Sequence, residues 1–527
     1  MQRISLSEIE FGKTDAFNEI RECGVEWFIT AFVKYEKYQI DKFIAGKNYY
    51  ICGEKGTGKT ALLRYLQYTL SKDPENLIIP IRFKSDLDNE DKKQLRICNS
   101  NINEAVVNGA DELASASDSV AIWQVYIINK LFQGIDSTKG EYVFFENDSR
   151  LQQLKNLLKI IYPNNQSKIM PKLKHGKISI QAELKKVLNS QILIELNLDG
   201  NDSSINFSKI VKLILEKFKN LEFTRNRAYI IFDELELSVR TQKEYQRDIQ
   251  LVRDLIIAVD RFNELCKVAK YDIHVIASIR SEVIHSVHSA GYEINKSIED
   301  FGVSISWYQK KLNYLENPLL KIIENKIIAC EEAKGITEHG NIWEKYFAKT
   351  VAGIETRKYI LNYSWMHPRD IVRLMNKLVE QCDDELIFTS DLFERSMQAY
   401  AVASWTEISE ALRLKYPADD LASIKNIFTN IEVPFTYQMI LKRINSLEDI
   451  YPKVKEFAKK HMLATVLEDL FQAGVVGNTG QRMIFKFLGD DTIALTEDMI
   501  IHKPLRDFFC VKSRQNNVYE IYDDSDE

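Results

Sequence analysis

Gly53-Glu54-Lys55-Gly56-Thr57-Gly58-Lys59-Thr60 limits what this chain can fold into more than any other stretch. It reads GxxxxGKT, and its setting matches its letters. Tyr49-Tyr50-Ile51-Cys52 before it reads as a short buried strand, and Ala61-Leu62-Leu63-Arg64-Tyr65-Leu66 after it starts a helix. Strand, glycine-rich turn and helix in that order form a phosphate-cradling loop. Glycine permits backbone geometry that a Cβ forbids. Successive N–H groups then turn inward, and the helix N-terminus adds partial positive charge. The expected cradle is Gly53, Glu54, Lys55, Gly56, Thr57, Gly58, Lys59, Thr60 and Ala61. In it Lys59 reaches the β- and γ-phosphates, and the Thr60 hydroxyl holds Mg²⁺.

A second motif supports the first. Ala228-Tyr229-Ile230-Ile231-Phe232-Asp233-Glu234 is an apolar run ending in two carboxylates, the pattern of a parallel strand buried on both faces whose C-terminal end meets a ligand crevice. Asp233 is expected in the Mg²⁺ shell and Glu234 as the group that polarises an attacking water; Glu236 ranks below Glu234 for that role. A further strand, Ile273 to Arg280, ends in polar groups, so Ser278 and Arg280 are candidates to sense the γ-phosphate. Trp365-Met366-His367-Pro368-Arg369-Asp370 opens a helix with proline in its first turn. Arg369 is expected to point back towards the γ-phosphate; the alternative is a surface pair with Asp370 or Glu380.

The chain has 527 residues, 45% hydrophobic and 28% charged, with a formal charge of −6. That describes a globular protein of roughly two to four domains. The acidic balance argues against a dedicated nucleic-acid coat protein. Cys23, Cys52, Cys98, Cys266, Cys330, Cys382 and Cys510 form no CxxC pair, which suits buried free thiols in a reducing compartment. No apolar stretch reaches bilayer length, and Met1 to Gly12 lacks a signal-peptide core. The expectation is a cytoplasmic protein with no membrane role.

The expected fold class is α/β: a P-loop NTPase parallel-sheet core with a long, mainly helical insertion, a helical lid and a C-terminal winged-helix-like domain. Residues 1–46 read as a helical segment on the core, with Phe11-Gly12 near the nucleotide base or, more simply, in the core. Residues 47–290 form the core, 291–398 the lid, 399–515 the winged-helix-like domain and 516–527 an acidic tail. Leu77 to Phe83 is the second strand, placed at an edge or a bulge by Pro80. The 86–225 insertion holds helices near Val120–Phe132 and Phe207–Phe218, a Lys-dotted loop at 163–178 and a strand at Gln191–Leu198. A long helix covers Tyr245–Lys267. Further on, helices cover Phe435–Ile444 and Val454–Ala473. Val475–Gly480 and a strand at Met483–Leu488 then make a hairpin. Thr465, Glu468 and Asp469 on the outer helix face favour protein contact over duplex reading. His285 and His288 lie three apart on one helix without a metal-site spacing around them.

Taken together, Phe11-Gly12, Gly53–Thr60, Ile230–Glu234, Ser278-Ile279-Arg280, Trp365–Leu374, Leu470–Leu488 and His502-Lys503-Pro504-Leu505 resemble a bacterial branch of P-loop ATPases. That branch is distantly similar to origin-recognition-type AAA+ and STAND NTPases. The resemblance covers most of the chain apart from the insertion. It implies an ATP- and Mg²⁺-dependent switch or assembly platform, a homo-oligomer, and a separately encoded effector of the kind found in bacterial anti-phage defence islands. No motif marks the arginine finger that a neighbouring subunit supplies in AAA+ rings; Arg240, Arg247 and Arg253 follow the acidic strand as candidates. The alternative reading is an ATP-dependent nucleic-acid remodeller or loader. It would use the winged helix and Lys168, Lys172, Lys174, Lys177, Lys185 and Lys186. A small-molecule kinase is a third, less favoured reading.

Overall fold

Apolar runs buried on both faces build the central sheet. In the computed structural model, β1 (Tyr50–Gly53), β2 (Asn76–Arg82), β3 (Arg227–Leu235), β4 (Ile273–Arg280) and β5 (Gly302–Ser304) form a five-stranded sheet in the order β2-β3-β4-β1-β5. Every neighbouring pair is parallel. This is the expected α/β arrangement, with β4 inserted between the strand that leads into the glycine-rich loop and the strand that ends in two carboxylates. The structure describes residues 2–83, 114–162, 207–235, 242–289, 294–309, 313–413, 415–480, 482–513 and 521–522. The 163–178 loop, the 191–198 strand, the six insertion lysines, Glu236, Arg240 and the 523–527 tail lie outside these residues.

Contacts divide the molecule into two units, one of residues 36–55 and 62–305, the other of residues 1–35, 56–61 and 306–527. In the first unit, β2 is the sheet edge. Pro80 sits there exposed, where its missing N–H costs no ladder bond. The described part of the insertion joins the core of this unit. Its helices Ala114–Ser137, Ser149–Ile161 and Phe207–Lys219 contribute Trp123, Tyr126, Leu154, Ile214 and Phe218 to the same apolar core as Ile81 and Phe262. A Cβ on Gly134 would come within 2.6 Å of Ile79 Cδ1, so glycine lets this helix lie tightly on β2. Helix Gln242–Val268 packs on β4. Because β1 starts only opposite Ala277, Val275 gains no partner from it. Asn263 fills the gap, donating from Nδ2 to Val275 O at 2.9 Å and accepting the Val275 N–H at 2.8 Å.

The second unit is largely helical. Asp15 caps helix Ala16–Cys23, accepting the N–H groups of Phe17 and Asn18. Glu19 of that helix pairs with Lys326 at 2.7 Å, both buried. Helix Pro318–Ala333 carries fully buried Glu331, which accepts from Lys345, from Tyr346 OH at 2.6 Å and from His339 at 2.7 Å. Burial would push that carboxyl up, but these contacts outweigh it and hold it below the ordinary glutamate value. Helix Pro368–Gln381 starts with Pro368 in its first turn, as expected, and helix Ser390–Leu412 packs beside it.

Three expectations for the C-terminal part are corrected. The span Val454–Ala473 is two helices, Pro452–Lys460 and Leu463–Gln472, because His461 and Met462 are extended. The strand expected at Met483–Leu488 reduces to a single bridge, Asn478 to Ile484, followed by a 3₁₀ turn at Lys486–Leu488. The partner of Val476–Asn478 is instead Met499–Ile501, antiparallel. Helices still lead into an antiparallel strand pair here. Asp469 does not face outwards: it is buried, bonded to Lys415 at 2.5 Å and to Tyr416 OH at 2.7 Å.

His502 ties this part to the turn between helices Thr356–Asn362 and Pro368–Gln381. It is buried, and its Nε2–H donates to Ser364 O at 2.9 Å. Burial pushes its pKa down to about 3. The unfolded imidazole titrates near 6.5, so its contribution to stability is complete above that pH. As pH falls, the loss is about 1.4 kcal/mol per unit. His502→Gln keeps a donor and cannot titrate. Urea midpoints at pH 7.5 and pH 5 should therefore converge in His502→Gln relative to the unsubstituted chain; an unchanged gap would remove His502 as the cause.

Candidate functional site

The acidic end of β3 is built around a bulge. Phe232 pairs with Ala277 and Leu235 with Ile279, so Asp233 and Glu234 together oppose the single residue Ser278. Glu234 accordingly adopts φ 59°, a left-handed conformation unusual for a residue with a Cβ. The bulge turns the two carboxylates differently. Asp233 is buried, and its Oδ1 accepts the Ser278 hydroxyl at 2.5 Å and the Glu234 N–H at 2.8 Å. Glu234 is half-buried. Ser278 is itself buried and lies opposite Ile51 of β1, and Arg280 lies opposite Gly53. Thus β4 carries its two sensing candidates to the strand ends between Asp233 and the start of the glycine-rich loop. Arg280 also sits 3.5 Å from Glu282.

In the helical unit, the tip of the glycine-rich loop has the geometry its letters require. Gly56 and Gly58 have φ of +92° and +91°. Thr57 is buried, Lys59 is 9% exposed and opens helix Lys59–Leu70, and Thr60 is half-buried in its first turn. A Cβ on Gly56 would sit 3.3 Å from Arg369 Cβ, so the loop and the first turn of helix Pro368–Gln381 touch closely. The Arg369 N–H points at Gly56 O at 3.4 Å, and the Trp307 indole N–H donates to Thr57 O at 2.9 Å.

The Arg369 guanidinium has partners other than Asp370 or Glu380. Its Nε donates to Thr14 O at 3.0 Å and one terminal nitrogen to Glu407 at 2.7 Å, while Arg373 bonds both Glu407 and Asp370. Glu380 pairs with Lys377. Phe11 is buried against Phe388, with ring centroids 6.1 Å apart, so it occupies the core of this unit. Among the arginine-finger candidates, Arg253 bonds Asp254 on its own helix at 2.7 Å. Trp307, Glu407 and Thr14 went unnoticed in the sequence because two of their contacts are to main-chain groups and none belongs to a motif.

Residues 317–409 match the family model of the FunZ-associated C-terminal helical domain. The match takes in Arg369 and Glu407. No curated protein matches the chain. Among solved structures, the crystal structure of Cdc6p from Pyrobaculum aerophilum is similar at 9% identity, covering 91% of this chain and 93% of that one with a TM-score of 0.31. At that level it adds nothing to the reading of the site. No described helix is long and apolar enough to cross a membrane.

Ser278 supplies a hydroxyl donor to a buried carboxylate, and removing it leaves Asp233 short of one bond. Ser278→Ala should lose about 1–3 kcal/mol of stability, whereas Ser278→Thr should lose less. Thermal melts of the two variants check this; equal melting temperatures would mean that the hydroxyl carries no such load.

Proposed function

We propose that the chain is a Mg²⁺-dependent ATP-binding and hydrolysing switch that regulates a separately encoded partner protein. The observation that carries this reading is the bulge that sets Asp233, Glu234 and Ser278 at the strand ends next to β1, whose chain continues into the Gly53–Thr60 loop. The donor set fits the ligand. The Thr60 hydroxyl and the Asp233 carboxylate are hard oxygen donors of the kind Mg²⁺ prefers. Gly56 and Gly58 have the positive φ that a loop of inward N–H groups needs. Bound Mg²⁺ would neutralise charge developing on the phosphates.

The protein's own groups take the remaining roles. Lys59 and the loop N–H groups bind the phosphates. Ser278 fixes Asp233 in one orientation. Glu234 orients water and accepts its proton, with Arg280 sensing the terminal phosphate. Arg369 exchanges Glu407 for that phosphate, and the lid helices move with it. Assembly into a homo-oligomer, a cytoplasmic setting and a role in anti-phage defence complete the proposal. The proposed domains are 1–46, 47–290 with the 86–225 insertion, 291–398, 399–515 and 516–527; the two contact units part elsewhere, at 35/36 and 305/306, with 56–61 in the helical unit. The nucleic-acid remodeller is the weaker reading. The outer face of helix Leu463–Gln472 offers Thr465 and Glu468 and no basic residue.

Turnover by the purified chain tests the switch. Lys59→Ala should lose ATP binding. Glu234→Gln should keep ATP while turnover falls about 100-fold or more. Normal turnover in Glu234→Gln would remove Glu234 from the role of base, and normal turnover in Lys59→Ala would overturn the nucleotide reading.

A further inference from the structure

The outward-facing carbonyls of the loop tip are held by residues that have no part in its motif. A trans peptide sends its C=O and the following N–H in opposite directions. Fixing a carbonyl on one side therefore fixes the next N–H on the other. Thr57 O accepts the Trp307 indole N–H at 2.9 Å, so the Gly58 N–H is directed away from the indole. Gly56 O faces the Arg369 N–H at 3.4 Å, so the Thr57 N–H is directed away from helix Pro368–Gln381. Two consecutive N–H groups are thereby turned to the side opposite these two donors, the relation found in an anion-binding nest.

The indole is itself held firmly. Trp307 is 2% exposed and stacks on Tyr35, with centroids 5.1 Å apart and planes 20° apart. The Tyr35 hydroxyl donates to Ser306 O at 3.2 Å and accepts from Gln309 Nε2 at 2.7 Å. The donor to Thr57 O is thus fixed at both its face and its neighbours. Glycines at 56 and 58 leave the intervening peptides soft, with φ of +92° and +91°. An external donor is what selects one orientation.

We propose that Trp307 is a positioning residue for phosphate binding, setting the N–H directions of the loop tip through its bond to Thr57 O. The ligand class is a nucleoside di- or triphosphate. The proposal rests on the reading of Gly53–Thr60 as a phosphate loop.

Trp307→Phe keeps a ring on Tyr35 and removes the N–H. Replacing Trp307 by its benzothiophene isostere, with sulfur in place of N–H, preserves shape as well and serves if the first variant folds poorly. Affinity is measured by calorimetry for ADP and for inorganic pyrophosphate, alongside thermal melts without ligand. The expected result is about tenfold weaker binding of both ligands by equal factors, or ~1.4 kcal/mol. The ligand-free melt should shift by no more than the loss of one hydrogen bond allows, about 2–4 °C. Equal loss for pyrophosphate and ADP places the effect at the phosphates. Unchanged affinity in the isostere, or a loss for ADP that pyrophosphate does not share, would overturn the proposal. Failure of the unsubstituted chain to bind either ligand would instead overturn the phosphate-loop reading beneath it.

Discussion

A buried carboxylate at the end of an apolar strand is the constraint around which the rest of the site is arranged. Asp233 lies inside the protein at the end of β3, and a charge there is tolerable only with hydrogen bonds. The Ser278 hydroxyl and the Glu234 N–H supply them. For both to reach the same oxygen, β3 must place two residues where β4 places one, and the bulge does so. The cost appears as left-handed backbone at Glu234, of order 1–3 kcal/mol. Strain of that size persists where surrounding structure over-determines it. The parallel pairing of β3 with both β2 and β4 provides that surrounding.

The helical unit has its own version of the same logic. Its loop tip is soft at two glycines and gains definition from outside, through the Trp307 indole and the first turn of helix Pro368–Gln381. That helix also carries Arg369, tied to Glu407 and Thr14. Loop backbone and arginine therefore meet at one element, the first turn of this helix. The family model for residues 317–409 covers this element and its Glu407 partner. In the proposed ATP switch, such an arrangement would let loss of the γ-phosphate reach helix Pro368–Gln381.

The parts legible in the sequence were those written in composition. The strands at β3 and β4 stood out because parallel strands buried on both faces read as unbroken apolar runs. Pro80 marked the edge position of β2 because proline lacks the ladder donor. The glycines of the loop announced positive φ. Four features were not legible. The break between Lys460 and Leu463 falls at His461 and Met462, with no glycine or proline to signal it. The apolar run at Met483–Leu488 satisfies a strand pattern equally well as a bridge and a 3₁₀ turn, and the true partner, Met499–Ile501, lies farther along the chain. Asp469 looked outward by periodicity but is drawn inside by Lys415 and Tyr416. The Trp307 bond to Thr57 O joins a lone aromatic residue to a main-chain atom 250 positions away, which leaves no motif.

The most direct measurement is the binding of Mn²⁺, as a paramagnetic stand-in for Mg²⁺, to the full chain with and without ATP, followed by electron paramagnetic resonance. If Asp233 and Thr60 serve one nucleotide-linked cation, Mn²⁺ binding should require ATP and should be lost in Asp233→Asn while ATP alone still binds. Mn²⁺ binding that ignores ATP, or that survives Asp233→Asn unchanged, would contradict the account.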